Sequence, residues 1–95
     1  MRFEWDEDKN LENIQKHGIS FERAKTIFDG IVLTKIDDSQ DYDEIREKSY
    51  GFMAGVVLVV VIHTDRNGKI RIISARKATK KERRAFHART RTYYR

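Results

Sequence analysis

Three histidines and a C-terminal crowd of arginines and lysines are the side chains of this 95-residue sequence that could do chemistry. His17, His63 and His87 are candidate acids or bases, because histidine ordinarily titrates between pH 5 and 8. Arg71, Arg76, Lys77, Lys80, Lys81, Arg83, Arg84, Arg89, Arg91 and Arg95 form the cationic cluster. Arginine outnumbers lysine seven to three within it, which favours bidentate phosphate recognition over mere solubility. Tyr93 and Tyr94 add faces on which bases could stack. Glu82 is the only carboxylate of the last thirty residues. It is either the glutamate of a helix capping box, or a general base, or an orienter of Arg71 or Arg76. Each of those arginines could instead be absorbed by an ion pair with Glu82 or with the acidic segment 37–47.

The formal charge of +5 is unevenly spread. Residues 1–65 hold 8 Lys/Arg against 14 Asp/Glu, and residues 66–95 hold 12 against 1. An asymmetry of this size points to a polyanionic partner for the C-terminal part, nucleic acid being the chief candidate. If about six of the cations touch phosphates, affinity falls roughly a thousandfold between 50 and 200 mM salt. Cysteine is absent, which excludes a disulfide scaffold, a Cys-ligated zinc module and thiol catalysis. No His-x-x-x-His spacing supports a metal set built from the histidines with Asp37, Asp38 or Asp65, so no metal and no cofactor is expected. There is no Gly-rich phosphate loop, no Gly-x-Ser-x-Gly elbow and no signal-peptide or membrane-spanning run. The expectation is a single domain over residues 1–95, in the cytoplasm and away from membranes.

The elements that must position these residues read as β-α-α-β-β-β-β-α. Phe3 and Trp5 alternate in a short extended start. Asp6 suits an N-cap, Leu11 and Ile14 share a helix face, and His17-Gly18 closes that helix. Ser20 caps a second helix with Phe21, Ala24, Ile27 and Phe28 inward, stopped at Asp29-Gly30. Strands follow over 31–36, 48–53, 56–63 and 69–77, the third an unbroken apolar run that predicts a central position. Asn67-Gly68 is a hairpin signal, and Thr79-Lys80-Lys81-Glu82 is a capping box opening the last helix. The fold class is α+β: an antiparallel meander with two N-terminal helices and one C-terminal helix. Strict alternation along 69–77 puts Arg71 and Arg76 on opposite faces, so only one could face a groove directly unless Arg76 has already left the strand near the Ala78-Thr79 bend.

Several blocks together resemble the toxins of the BrnT family. Phe3-Glu4-Trp5-Asp6, Asn10 and Lys16-His17-Gly18-Ile19-Ser20-Phe21-Glu22 are similar to the family's opening, and Ala24 and Phe28-Asp29 continue it. Arg46 and Gly51 match the middle, and Arg71-Ile72-Ile73-Ser74-Ala75-Arg76-Lys77-Ala78-Thr79 with Glu82-Arg83 resembles its most specific block. The sequence departs from that pattern at Gln40-Asp41-Tyr42, where many relatives place a histidine, and at Phe86, where a tyrosine is common.

The resemblance implies a compact RelE-like fold and a type II toxin–antitoxin toxin: a ribonuclease that inhibits translation. It also implies neutralisation by a BrnA-type antitoxin, contact with operator DNA only through that antitoxin, and a dimer of heterodimers in the complex. Cleaving RNA without a metal requires a base to deprotonate the ribose 2′-hydroxyl, cations at the phosphate and an acid for the departing 5′-oxygen. The expected catalytic residues are His17, Arg71, Arg76 and Glu82. Lys16, Arg46, Lys77, Lys80, Lys81, Arg83 and Arg84 are expected to hold the RNA. A non-catalytic nucleic-acid-binding module would use the same basic surface, and an interaction subunit could dock an acidic protein there.

Overall fold

A computed structural model describes residues 1–38 and 43–91. Gln40, Asp41, Tyr42, Tyr93, Tyr94 and Arg95 therefore lie outside the described residues. Strand β1 (Phe3–Trp5) leads into helix α1 (Glu7–His17), the short α2 (Phe21–Ala24) and a 3₁₀ turn over Lys25–Asp29. Strands β2 (Leu33–Ile36), β3 (Glu47–Met53), β4 (Val57–Arg66) and β5 (Lys69–Lys77) precede helix α3 (Lys80–Thr90). The expected α+β architecture, with its meander and helix count, is what the chain forms.

Local chemistry fixes the element ends. The Asp6 carboxylate accepts from the N–H groups of Asp8 and Lys9 at 2.8 and 3.3 Å, with Glu7 and Asp8 at the positive end of the helix dipole. Gly18 closes α1 with φ 71°, a left-handed conformation that glycine adopts without strain. At the head of α3, Thr79 accepts from the Glu82 N–H while Glu82 accepts from the Thr79 N–H, a complete capping box. The β3–β4 and β4–β5 hairpins turn on two left-handed residues, Ala54-Gly55 and Asn67-Gly68, the geometry that matches strand twist.

The sheet order is β1-β5-β4-β3-β2, antiparallel except for β1, which pairs parallel with β5. β4 is central and feeds both faces. Val59 and Val61 pack with Phe21, Ala24, Ile27 and Ile72 under α1, α2 and the 3₁₀ turn. Leu58 and Val60 pack with Tyr50, Ala78 and Phe86 under α3. Each of these valines, fully buried, is worth roughly 1.5–3 kcal/mol. The 3₁₀ turn sits so close to β3 that a Cβ on Gly51 would lie 3.0 Å from Ile27 Cβ and Val32 Cγ1, which explains glycine there. Among the described residues no helix is long and apolar enough to cross a membrane.

Two sequence expectations are corrected. Leu11 and Ile14 do not bury α1: they are 57% and 40% exposed, and the inward stripe is Asn10 and Asn13. Asn13 donates from Nδ2 to the Ile19 and Ala75 carbonyls at 2.9 and 2.8 Å and accepts from the Ala75 N–H at 3.1 Å. Its amide thus continues the edge of β5 where β1 has ended. The second correction is strand phase. Ile62 pairs with Ser74 but His63 pairs with Ile72, so Ile73 is the extra residue of a β-bulge. The bulge reverses alternation, and Arg71 and Arg76 come to lie on the same face.

Candidate functional site

That shared face is the one α3 packs on, but the two arginines do not converge. Arg71 stands opposite Thr64 and Arg76 opposite Val60, four residues along β4, hence about 13 Å apart at about 3.3 Å per residue. That is the spacing of their backbones, and the two side chains turn to different elements, β1 and α3. Each guanidinium also has a carboxylate of its own. Arg71 Nη1 donates to Glu4 Oε2 at 2.7 Å across the β1–β5 pair, a partner outside the sequence expectation. Arg76 grips Glu82 fork to fork, Nη1 to Oε1 at 2.7 Å and Nη2 to Oε2 at 3.0 Å, as the ion-pair alternative anticipated.

The Arg76–Glu82 pair is the better-built of the two. Nη1 also reaches the Lys77 carbonyl at 3.3 Å, so three bonds hold a group with five N–H donors. The hydrogen bond from Arg76, ahead of the Thr79 N–H, lowers the Glu82 pKa to about 2 against the opposing effect of burial. Glu82 correspondingly raises the Arg76 pKa, with a smaller contribution from Tyr50. A carboxylate so acidic is ionised at neutral pH and is a poor proton acceptor, so its chemistry is that of a guanidinium holder. The pair sits at the head of α3, where Lys80, Lys81 and Arg84 are exposed. Arg83 there donates to the Ala78 carbonyl at 3.1 Å.

His17 approaches from another element. Trp5 pairs with Ile72 and Asn13 bonds Ala75, so α1 advances along β5 in the strand's own direction. One further turn, about 6 Å, carries His17 toward the level of Lys77, two residues on. Lys16 and Lys77 are exposed at that end. Lys77 pairs with Val59 and so faces away from Arg76, across the β5 edge. Arg46 is not part of this junction. It precedes β3, its carbonyl accepts the Asp37 N–H at 2.8 Å, and it stands near the Thr64–Arg71 row instead.

The other two histidines lie away from this junction's fork, His87 exposed on α3 and His63 buried in the sheet. His87 lies against Phe52 with ring centroids 6.1 Å apart. His63 is buried, edge-on to Phe28 at 5.4 Å, and its Nε2 is 2.7 Å from Ser49 Oγ, which in turn meets Thr34 Oγ1 at 2.7 Å. Burial lowers the His63 pKa, with Glu47 acting weakly in the other direction. Its folded state therefore holds its proton less tightly than the unfolded chain, and the stability it contributes is present above about pH 6.5 and lost as pH falls below that. Glu82 adds a second loss between its ordinary carboxylate range and about pH 2. Melting curves from pH 7.5 to pH 3 should show both stages, with His63→Gln flattening only the upper one.

Sequence reasoning missed Lys35, Lys48 and Tyr50, which share the face of Arg71 and Arg76. Lys35 stands opposite Lys48, and Tyr50 opposite Val60 in the Arg76 row. Period-2 alternation of Lys48, Tyr50 and Phe52 was the available signal; only strand pairing shows that it meets the arginines. Phe86, where a hydroxyl was looked for, is 2% exposed and packs edge-on against Phe52 at 5.6 Å. Among the described residues no three His, Asp or Glu side chains gather as a metal set.

Residues 5–82 match the family described as the ribonuclease toxin, BrnT, of type II toxin–antitoxin systems. The fold is similar to the 1.1 Å crystal structure of the Brucella abortus ribonuclease toxin BrnT, with a TM-score of 0.63 and 25% sequence identity. The likeness covers 84% of this chain and 99% of that one. No curated protein sequence matches the chain.

Proposed function

Since the chain belongs to the BrnT family of ribonuclease toxins of type II toxin–antitoxin systems, we propose that it is an endoribonuclease that cuts RNA without a metal ion and so inhibits translation in the cytoplasm. The observation that carries this reading is the Arg76–Glu82 fork at the β5–α3 junction, with exposed Lys80, Lys81 and Arg84 on the first turns of α3. Such a site needs to stabilise the extra negative charge that develops as the 2′-oxygen attacks the neighbouring phosphate. Arg76 supplies that charge, already oriented, and Glu82 is the residue that positions it. Arg83 and the α3 lysines hold flanking phosphates, and Arg71 and Arg46 track the strand farther along the same face. Lys16 and His17 come to the same end of β5 from α1, His17 as the proton-transfer group. The whole chain acts as one toxin domain. A BrnA-type antitoxin neutralises it, contacts operator DNA for the complex and assembles with it as a dimer of heterodimers.

Purified protein incubated with RNA in EDTA tests the reading: shortened RNA with cyclic phosphate ends is expected. RNA that is bound but left uncut points to the non-catalytic binding module instead. The His17→Ala protein is expected to cut about 10²- to 10⁴-fold more slowly, the usual range for losing a proton-transfer group. Full cleavage by that variant removes His17 from the mechanism.

A further inference from the structure

Between α3 and the β2–β3 edge of the sheet lies a cavity of about 240 Å³ that the reaction scheme does not use. Leu33, Tyr50, Ala85 and Phe86 form its walls, Glu82 closes it on the Arg76 side, and Lys35 and Arg89 stand among its lining residues. We propose that this cavity receives one nucleobase of the RNA strand, with that nucleotide's phosphate held by Lys35 and Arg89. The proposal rests on the ribonuclease reading and specifies where the strand beside the scissile phosphate is gripped.

Three features select this occupant. The volume is below the roughly 300–1,000 Å³ of pockets for drug-sized ligands and suits a single flat ring system. The walls are largely apolar: Tyr50 and Phe86 are nearly buried, so with Leu33 and Ala85 they offer a base a water-excluding contact surface rather than an open ring face. The two cations supply the matching charge for a phosphate. Lys35 Nζ is held 5.5 Å over the Tyr50 ring, and Arg89 has no hydrogen-bond or ion-pair partner among the described residues. Glu82 belongs both to the cavity and to the Arg76 fork, so a base seated here leaves its neighbouring phosphate beside Arg76.

The test uses adenosine 3′-monophosphate and inorganic phosphate as probes of the full chain by two-dimensional NMR. The nucleotide is expected to shift the Leu33, Tyr50 and Ala85 amides saturably, and phosphate alone to leave them in place. Ala85→Trp, an exposed helical position whose new ring fills the cavity, is expected to weaken nucleotide binding at least tenfold with a wild-type melting temperature. Equal shifts with phosphate, or unchanged affinity in Ala85→Trp, overturn the base pocket. In RNA cleavage the same variant should lose about tenfold in kcat/KM and its base preference at the cut. Wild-type protein that cuts RNA with Ala85→Trp cutting identically sinks the pocket alone. Nucleotide binding at these residues by a protein that cuts no RNA sinks the ribonuclease reading and leaves the pocket standing.

Discussion

Arg76→Ala is expected to lower kcat for RNA cleavage about 10²- to 10³-fold, the cost of removing one preorganised donor from where charge develops. Ion pairing with Glu82 does not disqualify Arg76 from this role. Three of its five N–H donors are engaged by Glu82 and the Lys77 carbonyl, so two remain for a phosphate oxygen, and the group is a third exposed. The fork spares the substrate the entropy of ordering a long side chain. It also means that Arg76→Ala leaves the Glu82 carboxylate without its partner, close to where an anion must bind. Glu82→Gln separates the two effects. It frees Arg76 without deleting it, and should cost less in kcat while removing the low-pH stability loss. Arg71→Ala, some 13 Å away, should raise KM and flatten the salt dependence instead. Wild-type cleavage by the Arg71→Ala/Arg76→Ala protein would dispose of charge stabilisation by these arginines.

The largest expected loss of stability is in Asn13→Ala, about 3–5 kcal/mol. Three backbone groups lose their partner in that variant: the Ala75 N–H and the carbonyls of Ala75 and Ile19. Asn13 is 6% exposed, so water cannot readily replace it, and each orphaned group costs about 1–3 kcal/mol. For a domain of this size the melting temperature should fall by more than about 10 °C. Leu11→Ser on the same helix is the contrast: an apolar residue more than half exposed, expected to change stability by less than about 0.5 kcal/mol. A melt of Asn13→Ala within about 2 °C of wild type would show that α1 does not depend on this edge bond. Because α1 carries His17 toward the β5–α3 junction, a partly folded Asn13 variant should also lose cleavage.

Legibility divided along the line between local and non-local chemistry. The caps at Asp6, Ser20 and Thr79, the glycine stop at Gly18 and the Asn67-Gly68 turn involve residues within a few positions of one another, so their types announced them. The apolar run of β4 announced a central strand for the same reason. The inward face of α1 was misjudged because apolar spacing pointed to Leu11 and Ile14. What decided the matter was an unpaired edge of β5, sixty-two residues away in sequence, which only an amide could satisfy. Lys35 and Tyr50 went unnoticed because their neighbours are supplied by strand pairing and by α3.

The sequence by itself determined the segregated charge, the α+β element order, the capping box and the blocks that resemble a ribonuclease toxin, since each is a property of residue type and short spacing. Tertiary structure alone decided what Arg71 and Arg76 can do. Their common face depends on one extra residue at Ile73, and a bulge is set by how two strands align, not by either strand's own pattern. Their carboxylate partners follow from β1 pairing along the β5 edge and α3 packing on that face, contacts that exist only once the chain has folded.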